Sequence, residues 1–335
     1  MVEASRYDEW RAGETLSPGT QQLLAGLGCW DRFLAERFTP AYGTRAAWGA
    51  AETHDNEFLF SARGDGWHLD RVRFDALLCT CAREAGVEVT QGARLADARS
   101  VEGTQWSVAI RGAAGREEFR ARFIVDATGR RAAFATRQGA RRMLDDRLVG
   151  AFVLFRFGEN AASTGAHTLV EAHPDGWWYS SITPDSRAVV AWMSDASLVR
   201  RDRLHLHARW MERLASSRET AARVAGAVAE TTPAVWAAHS QRLSRCAGDG
   251  WAAAGDAACT FDPLSSQGIL KALRGGKLAS FVAIDWLEGR TDSTARYERI
   301  VGAEYRDYLK AKDWCYGLEQ RWPRSEFWRA RHGSV

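Results

Sequence analysis

Trp251-Ala-Ala-Ala-Gly-Asp-Ala-Ala-Cys-Thr-Phe-Asp-Pro-Leu-Ser-Ser-Gln-Gly-Ile-Leu-Lys-Ala-Leu-Arg-Gly-Gly-Lys-Leu-Ala-Ser280 is the stretch whose reading decides the fold. Trp251 to Ala254 form a short apolar strand that ends at Gly255-Asp256. Pro263 breaks the loop that follows, and a helix starts near Ser266-Gln267-Gly268. A strand ending in Gly-Asp stands a carboxylate at the sheet edge, where it can accept hydrogen bonds from ligand hydroxyls. The unpaired N–H groups and positive dipole end of the helix suit an electron-rich ligand edge. Gly268 permits close backbone approach, and Gly275-Gly276 let the helix lie against a sheet.

Composition bounds what such a unit can belong to. The chain has 335 residues, 46% hydrophobic and 26% charged, enough for a large core and one or two domains. Lys+Arg at 45 against Asp+Glu at 42 leave a net charge of +3, which argues against nucleic acid or an anionic membrane as partner. No run has the length of a membrane span and no secretory segment opens the chain, so a cytoplasmic protein is expected. Cys29, Cys79, Cys81, Cys246, Cys259 and Cys315 lack metal-ligand spacing. Cys79 and Cys81 fall two apart in a helical pattern, where side chains diverge, so no metal is expected and free thiols fit a reducing compartment. The 15 tryptophans exceed ordinary usage, and all four lysines lie at or after Lys271.

In chain order, Val2-Glu3 reads as the end of a strand with an acid at its tip. The loop Arg11-Ala-Gly-Glu-Thr-Leu-Ser-Pro18 leads to a helix with Ser17 as N-cap and Pro18 at the first helical position. Leu23, Leu24 and Leu27 recur at helical spacing, and Gly28 ends it. Residues 40–65 hold short strands of a substrate-facing sheet. Gly66 to Asp75 pass from strand into a helix with Phe74, Leu77, Leu78 and Ala82 on one face. Three or four short strands follow, in V-E-V (87–89), R-L-A-D-A (94–98), W-S-V-A-I (106–110) and R-A-R-F-I-V (120–125), and the last runs into Asp126-Ala-Thr-Gly-Arg130. Residues 148–195 read as a second, mainly antiparallel sheet, apolar on both faces in places. Residues 198–230 read as two helices, and Tyr297, Tyr305, Tyr308, Leu309, Trp314 and Tyr316 recur at helical spacings near the end. His68 is read as structural, and His205-x-His207 diverge on a helix.

In this order and spacing the motifs resemble the FAD-dependent monooxygenase superfamily, with its p-hydroxybenzoate hydroxylase-like fold. Asp262-Pro-Leu-Ser-Ser-Gln-Gly-Ile269 looks closest to the branch of flavin-dependent tryptophan halogenases and tryptophylquinone-maturation flavoproteins. Phe123-Ile-Val-Asp-Ala-Thr-Gly-Arg130 resembles the superfamily's return to the parallel sheet. Arg71-x-x-Phe-Asp-x-x-Leu78 resembles the element whose Arg contacts the flavin nucleotide. Arg11 to Pro18 resemble the halogenases' V-G-E-A-T-x-P loop, which runs close to the flavin. Gly176-Trp-Trp-Tyr-Ser-Ser-Ile182 stands where those enzymes carry G-W-x-W-x-I-P, with Tyr179 in place of the second Trp, Ile182 one residue late and Thr183 in place of Pro. The tail from Arg321 is similar to the end of the quinone-maturation group.

The resemblance implies an α/β FAD-binding three-layer fold: a parallel sheet whose N-terminal βα unit is absent, an antiparallel substrate-domain sheet and C-terminal helices. The expected domains are FAD-binding over 1–35, 66–147 and 240–290, substrate-binding over 36–65 and 148–239, and a helical extension over 291–335. The family places a first strand, a G-x-G-x-x-G turn and a helix directly upstream of Met1; a truncated sequence or a late start codon is expected ahead of real loss of that element, which would remove the pyrophosphate cradle. FAD is the implied cofactor. Glu3, Arg11, Arg71, Ala127, Gly129, Gly255, Asp256, Pro263, Gln267, Gly268 and Ile269 are the residues expected to bind it, Asp256 through ribityl hydroxyls and Glu3 through a ribose. Glu14, Tyr179 and Ser266 are the expected catalytic residues.

The implied chemistry is oxygen capture as a flavin C4a-hydroperoxide and hydroxylation of an aromatic, which could be a protein-bound Trp side chain. Electrons would come from NAD(P)H or a separate flavin reductase. Halogenation needs a lysine in the first third of the family's chain, and this sequence has none there. A halogenase-like enzyme without that lysine and an inactive, partner-binding flavoprotein are the alternatives.

Overall fold

An eight-stranded sheet forms the centre of the molecule in a computed structural model that describes residues 1–58, 64–101, 105–158 and 165–332. Leu148–Arg156, Arg187–Asp195, Gly176–Ile182 and His167–His173 pair antiparallel in that spatial order. Gly43–Ala47 then adds in parallel and His54–Glu57 closes that side. On the other side, Val228–Ala229 and Ala234–Ala237 both pair with Leu148–Arg156. The central strands Leu148–Arg156, Gly176–Ile182 and Arg187–Asp195 read as continuous apolar runs because both faces are covered. Leu148, Phe152, Trp177, Tyr179, Ala191 and Met193 point to one face. Ala151, Val153, Trp178, Val190 and Trp192 point to the other.

The second face is closed by three short helices, Ala196–Arg201, His207–Ala215 and Glu219–Arg223, where the sequence suggested two. The extra break comes at Arg203, whose φ of 54° no helix accommodates. Trp210 and Leu214 pack there against the sheet.

The first face looks toward the parallel part of the molecule. Ile124–Asp126 runs parallel to Trp251–Ala253, and Val2–Glu3 parallel to Thr90–Gln91. A meander of Arg94–Val101, Gln105–Gly112 and Gly115–Ala121 stands beside them. The helices Gly268–Leu287 and Asp292–Gly317 complete this core, the second through Tyr297, Val301, Tyr305 and Tyr308. Asp292–Gly317 then runs on into the other core with Tyr316, joined by Phe327 and Trp328 of the helix Glu326–His332. Among the described residues, no helix is long and apolar enough to cross a membrane.

Two local expectations change. The first helix begins at Thr20 with Gly19 as N-cap. The Ser17 hydroxyl caps no amide and lies 3.4 Å from the Thr20 hydroxyl, because Ser17 and Pro18 are used in turns closed by Thr20 N–H to Ser17 O and Gln21 N–H to Pro18 O. Val87 to Val89 form no strand: the Val87 amide still closes the preceding helix by donating to Ala82 O (3.0 Å), so pairing starts at Thr90. The helix Arg71–Glu84 starts as its sequence requires, with Asp70 accepting from the amides of Val72 and Arg73.

Candidate functional site

The parallel strands Ile124–Asp126 and Trp251–Ala253 end at a cavity of about 580 Å³ that lies between the two cores. Ligands of open α/β sheets sit outside the carboxyl ends of the strands. Ala127 and Gly129 line the cavity after the first strand, and Ala254, Gly255 and Asp256 after the second. Gly255 takes φ +59°, and a Cβ on Gly275 would sit 3.0 Å from the Gly255 amide, so the helix touches the turn through two glycines. The loop between them is held by Asp262, which caps the Leu264 amide (2.9 Å), and ends at Ser266 with φ 50°. Gln267, the N-cap of the following helix, makes no side-chain cap. Gly268 and Ile269 line the cavity there with amides of the uncapped first turn.

The opposite wall comes from the N-terminal loop and the helix Arg71–Glu84. Arg71 donates from Nη1 to Ala12 O (2.9 Å) and from Nη2 to Asp75 (3.1 Å). Gly13 sits at φ +111°, which side chains rarely adopt, and a Cβ there would lie 2.4 Å from Arg71 Nη1 and displace that guanidinium. Next to it Glu14 is 1% exposed. Its Oε2 accepts from the Tyr179 hydroxyl at 3.1 Å, and its Oε1 faces no partner. Burial raises the Glu14 carboxyl above its usual range, and burial followed by the Glu14 charge pushes the Tyr179 phenol well up. With Oε2 taken by the Tyr179 hydroxyl, Oε1 is the carboxyl oxygen left without a partner.

The expected site residues are mostly brought together. Glu14, Arg71, Ala127, Gly129, Tyr179, Gly255, Asp256, Pro263, Ser266, Gln267, Gly268 and Ile269 all line this cavity. Glu3 and Arg11 do not. Glu3 accepts from the Ser5 amide (2.7 Å) and pairs with Arg11 (3.5 Å), which in turn bonds Asp75 of the cavity wall (3.2 Å). His68 also lies outside the lining, fully buried, with Nδ1 2.9 Å from the Ser181 hydroxyl. Burial lowers it to about 4, as a structural histidine allows.

Several residues of the site were not legible beforehand. Lys271, 3% exposed, donates to Asp256 (2.7 Å) and to Cys259 O and lies 4.8 Å from the Phe261 ring centre. Burial would raise Asp256, but the Lys271 charge and hydrogen bond hold it below its usual value. Asp262 accepts from the Tyr316 hydroxyl (2.8 Å), which accepts in turn from Trp177 Nε1 (3.0 Å). Burial, then the Asp146 charge, pushes Asp262 up to about 6. At the other end Trp236 stacks on Trp10 with ring centres 5.0 Å apart, and Phe152 lies 5.1 Å from Trp236. Lysine was a readable signal here, being scarce and set inside an apolar helix pattern. Trp10 and Trp236 come from a loop and an edge strand, where no period marks them.

A family model described as an FAD binding domain matches residues 2–275. LodB of Marinomonas mediterranea, named as an FAD-dependent oxidoreductase, is 29% identical over 337 residues, covering 99% of this chain and 89% of LodB. The 1H-pyrrole-2-carbonyl-(peptidyl-carrier protein) chlorinase of Pseudomonas fluorescens is 24% identical over 338 residues, covering 90% of this chain and 74% of the chlorinase. Among solved structures, the flavin-dependent halogenase CmlS superposes with a TM-score of 0.87 at 24% identity, over 98% of this chain and 62% of CmlS. The peptidyl tryptophan dihydroxylase QhpG gives 0.73 at 23%, over 98% of this chain and 72% of QhpG. At such identities the structural likeness speaks for the fold, and it is the α/β fold with parallel and antiparallel sheets expected above.

Proposed function

Since the chain belongs to the FAD-binding-domain family, and is on that ground an FAD-dependent enzyme, we propose that it hydroxylates an aromatic substrate in the cavity between its two cores. Bound FAD supplies two-electron transfer and the activation of dioxygen. The residues present fit that group. The Gly268 and Ile269 amides offer donors to an electron-rich ring edge, and Asp256, fixed by Lys271, offers an acceptor to ribityl hydroxyls. Arg71, braced by Ala12 O and Asp75, supplies positive charge beside the glycine that lets the chain pass close.

The observation that carries the reading is the Glu14–Tyr179 pair, set between the Arg71–Asp75 wall and the apolar Phe152, Met193 and Trp236. Burial pushes the Glu14 carboxyl up, Tyr179 fixes it through Oε2, and the buried Oε1 is left without a partner, which suits the carboxyl to general-acid work. Phe152, Met193 and Trp236 keep water from the substrate's side. Ser266 lines the same space in a left-handed conformation and positions the first turn of the helix. Hydroxylation is favoured over halogenation because no lysine lines the cavity among the described residues; Lys271 is committed to Asp256 and the Cys259 carbonyl behind it.

The test supplies FAD, air and bromide with either NADPH or a separate flavin reductase plus NADH, and offers indole, phenol and N-acetyltryptophanamide. Products gaining oxygen, lost in Glu14→Gln while FAD still binds, are expected. Brominated products, or electron consumption that ends in hydrogen peroxide with every aromatic offered, would overturn the proposal.

A further inference from the structure

The eight-stranded sheet exposes three short edge strands, and they differ. His54–Glu57 is guarded by charge, with Asp55 paired to Arg45 and Glu57 to His167. Val228–Ala229 runs directly into Glu230, which pairs with Arg156 and Arg187. Ala234–Ala237, sequence A-V-W-A, carries no charge at all, although a bare edge invites pairing with another chain. It is also the edge that borders the cavity, through Trp236 and Ala237.

Register fixes which of its amides are free. Ala237, Trp236, Val235 and Ala234 face Val149, Gly150, Ala151 and Phe152 in antiparallel order. The Ala238 amide donates to Leu148 O (3.0 Å), so by the two-residue period Trp236 and Ala234 turn their amides toward that strand. Val235 and Ala237 turn theirs outward, where no partner meets them among the described residues. Side chains alternate as well. Trp236, 39% exposed, lies on the cavity face against Trp10 and Phe152, and Val235, 40% exposed, lies on the other.

We propose that the outer edge of Ala234–Ala237 docks an extended polypeptide by strand addition and so delivers one of its aromatic side chains past Trp236 into the cavity. The proposal rests on the aromatic-hydroxylation reading above and names its partner. Main-chain bonds to Val235 and Ala237 give affinity, and the cavity selects the alternate side chain that is aromatic. A peptide suits this mouth better than a free amino acid. The edge at Trp236 and Ala237 offers main-chain donors and no side-chain charge, and the charged groups of the lining are held elsewhere: Asp75 by Arg71, Glu14 by Tyr179, Asp256 by Lys271, Asp262 by Tyr316, and Arg130 by His239 O (2.7 Å) and Thr260 Oγ1 (3.2 Å).

The experiment uses the FAD-loaded chain and two probes, acetyl-Thr-Val-Trp-Val-Thr-amide and N-acetyltryptophanamide, with affinity read by calorimetry and amide exchange read at residues 234–238. The pentapeptide should bind at least about tenfold tighter, a gap of about 1.4 kcal/mol, and should slow exchange at Val235 and Ala237. Val235→Pro removes one outward amide at an edge position where proline is tolerated. It should erase the tenfold gap, with melting temperature and FAD affinity as checks on folding. Equal affinity of the two probes would overturn the docking. So would protection of Val235 and Ala237 that depends on protein concentration alone, because a second copy would then own the edge. Peptide binding without oxygen incorporation would retire the assigned reaction and leave the docking standing, whereas equal oxygenation of both probes would do the reverse. Binding of neither probe would end both.

Discussion

The two faces of the eight-stranded sheet are built from the same strands and the same kinds of residue, yet they do different things with them. On the face closed by short helices, Trp178 lies 5.0 Å from Trp192 and 5.1 Å from Trp210, and the indole N–H groups of Trp178 and Trp192 meet no acceptor. Those rings contribute area and shape, which is what a packed core needs. On the cavity face one residue away in each direction, Trp177 passes its N–H to Tyr316 and so to Asp262, and Tyr179 passes its O–H to Glu14. Both of those acids line the cavity and both are pushed up by burial. Aromatic content alone does not mark a site; an aromatic polar atom tied to a buried acid does.

The sharpest way to separate the faces is to truncate the packed one. Trp178→Ala should cost about 3–5 kcal/mol in urea unfolding, the usual price of deleting a fully buried large ring. FAD affinity should stay within twofold in the folded fraction, since Trp178 lies on the far face from the cavity. A large loss of FAD affinity with little loss of stability would erase the distinction between the faces.

Acid tests both faces together. His68, bonded to Ser181, and His173, 5.1 Å from Trp192, are each lowered to about 4 from 6.5, chiefly by burial. Both therefore stay neutral when folded while the unfolded chain takes up protons. Their stability contribution is fully present above pH 6.5 and is lost as pH falls toward 4. The difference is worth about 3 kcal/mol for a group as enclosed as His68, and less for the partly open His173. His68→Asn should remove the larger part of that acid slope. A slope unchanged by the substitution would place the acid sensitivity elsewhere.

Much of the fold was legible because its signals are local. The Gly255-Asp256 strand end, the Pro263 break and the helix start at Gly268 sit within one stretch, and the structure places them on one cavity. Glu14 and Tyr179 were each singled out, but nothing in either segment says that they meet. The Trp177–Tyr316–Asp262 chain joins a strand, a C-terminal helix and a loop, and only the fold brings those three together. Trp10 and Trp236 were invisible for the same reason, one in a loop and the other on an edge strand. Glu3 shows the converse case: its position at a strand tip was read correctly, and yet its carboxylate is taken by Ser5 and Arg11 beside the cavity.

The smallest expected change in stability falls on the residue that says most about the cavity face. Tyr179→Phe removes one hydroxyl and should cost about 1 kcal/mol, the net worth of a typical hydrogen bond. The Tyr179 bond lowers the Glu14 carboxyl against the larger effect of burial, so its loss should send that carboxyl further up and leave the acid neutral over a wider pH range. Infrared difference spectra can follow this directly: the carbonyl stretch of a protonated carboxyl should be present in the wild-type protein at neutral pH, shifted in Tyr179→Phe and missing in Glu14→Gln. An ionised Glu14 in the wild type would mean that the pair is an ordinary acceptor and donor, and the two faces of the sheet would then differ only in which one happens to be open.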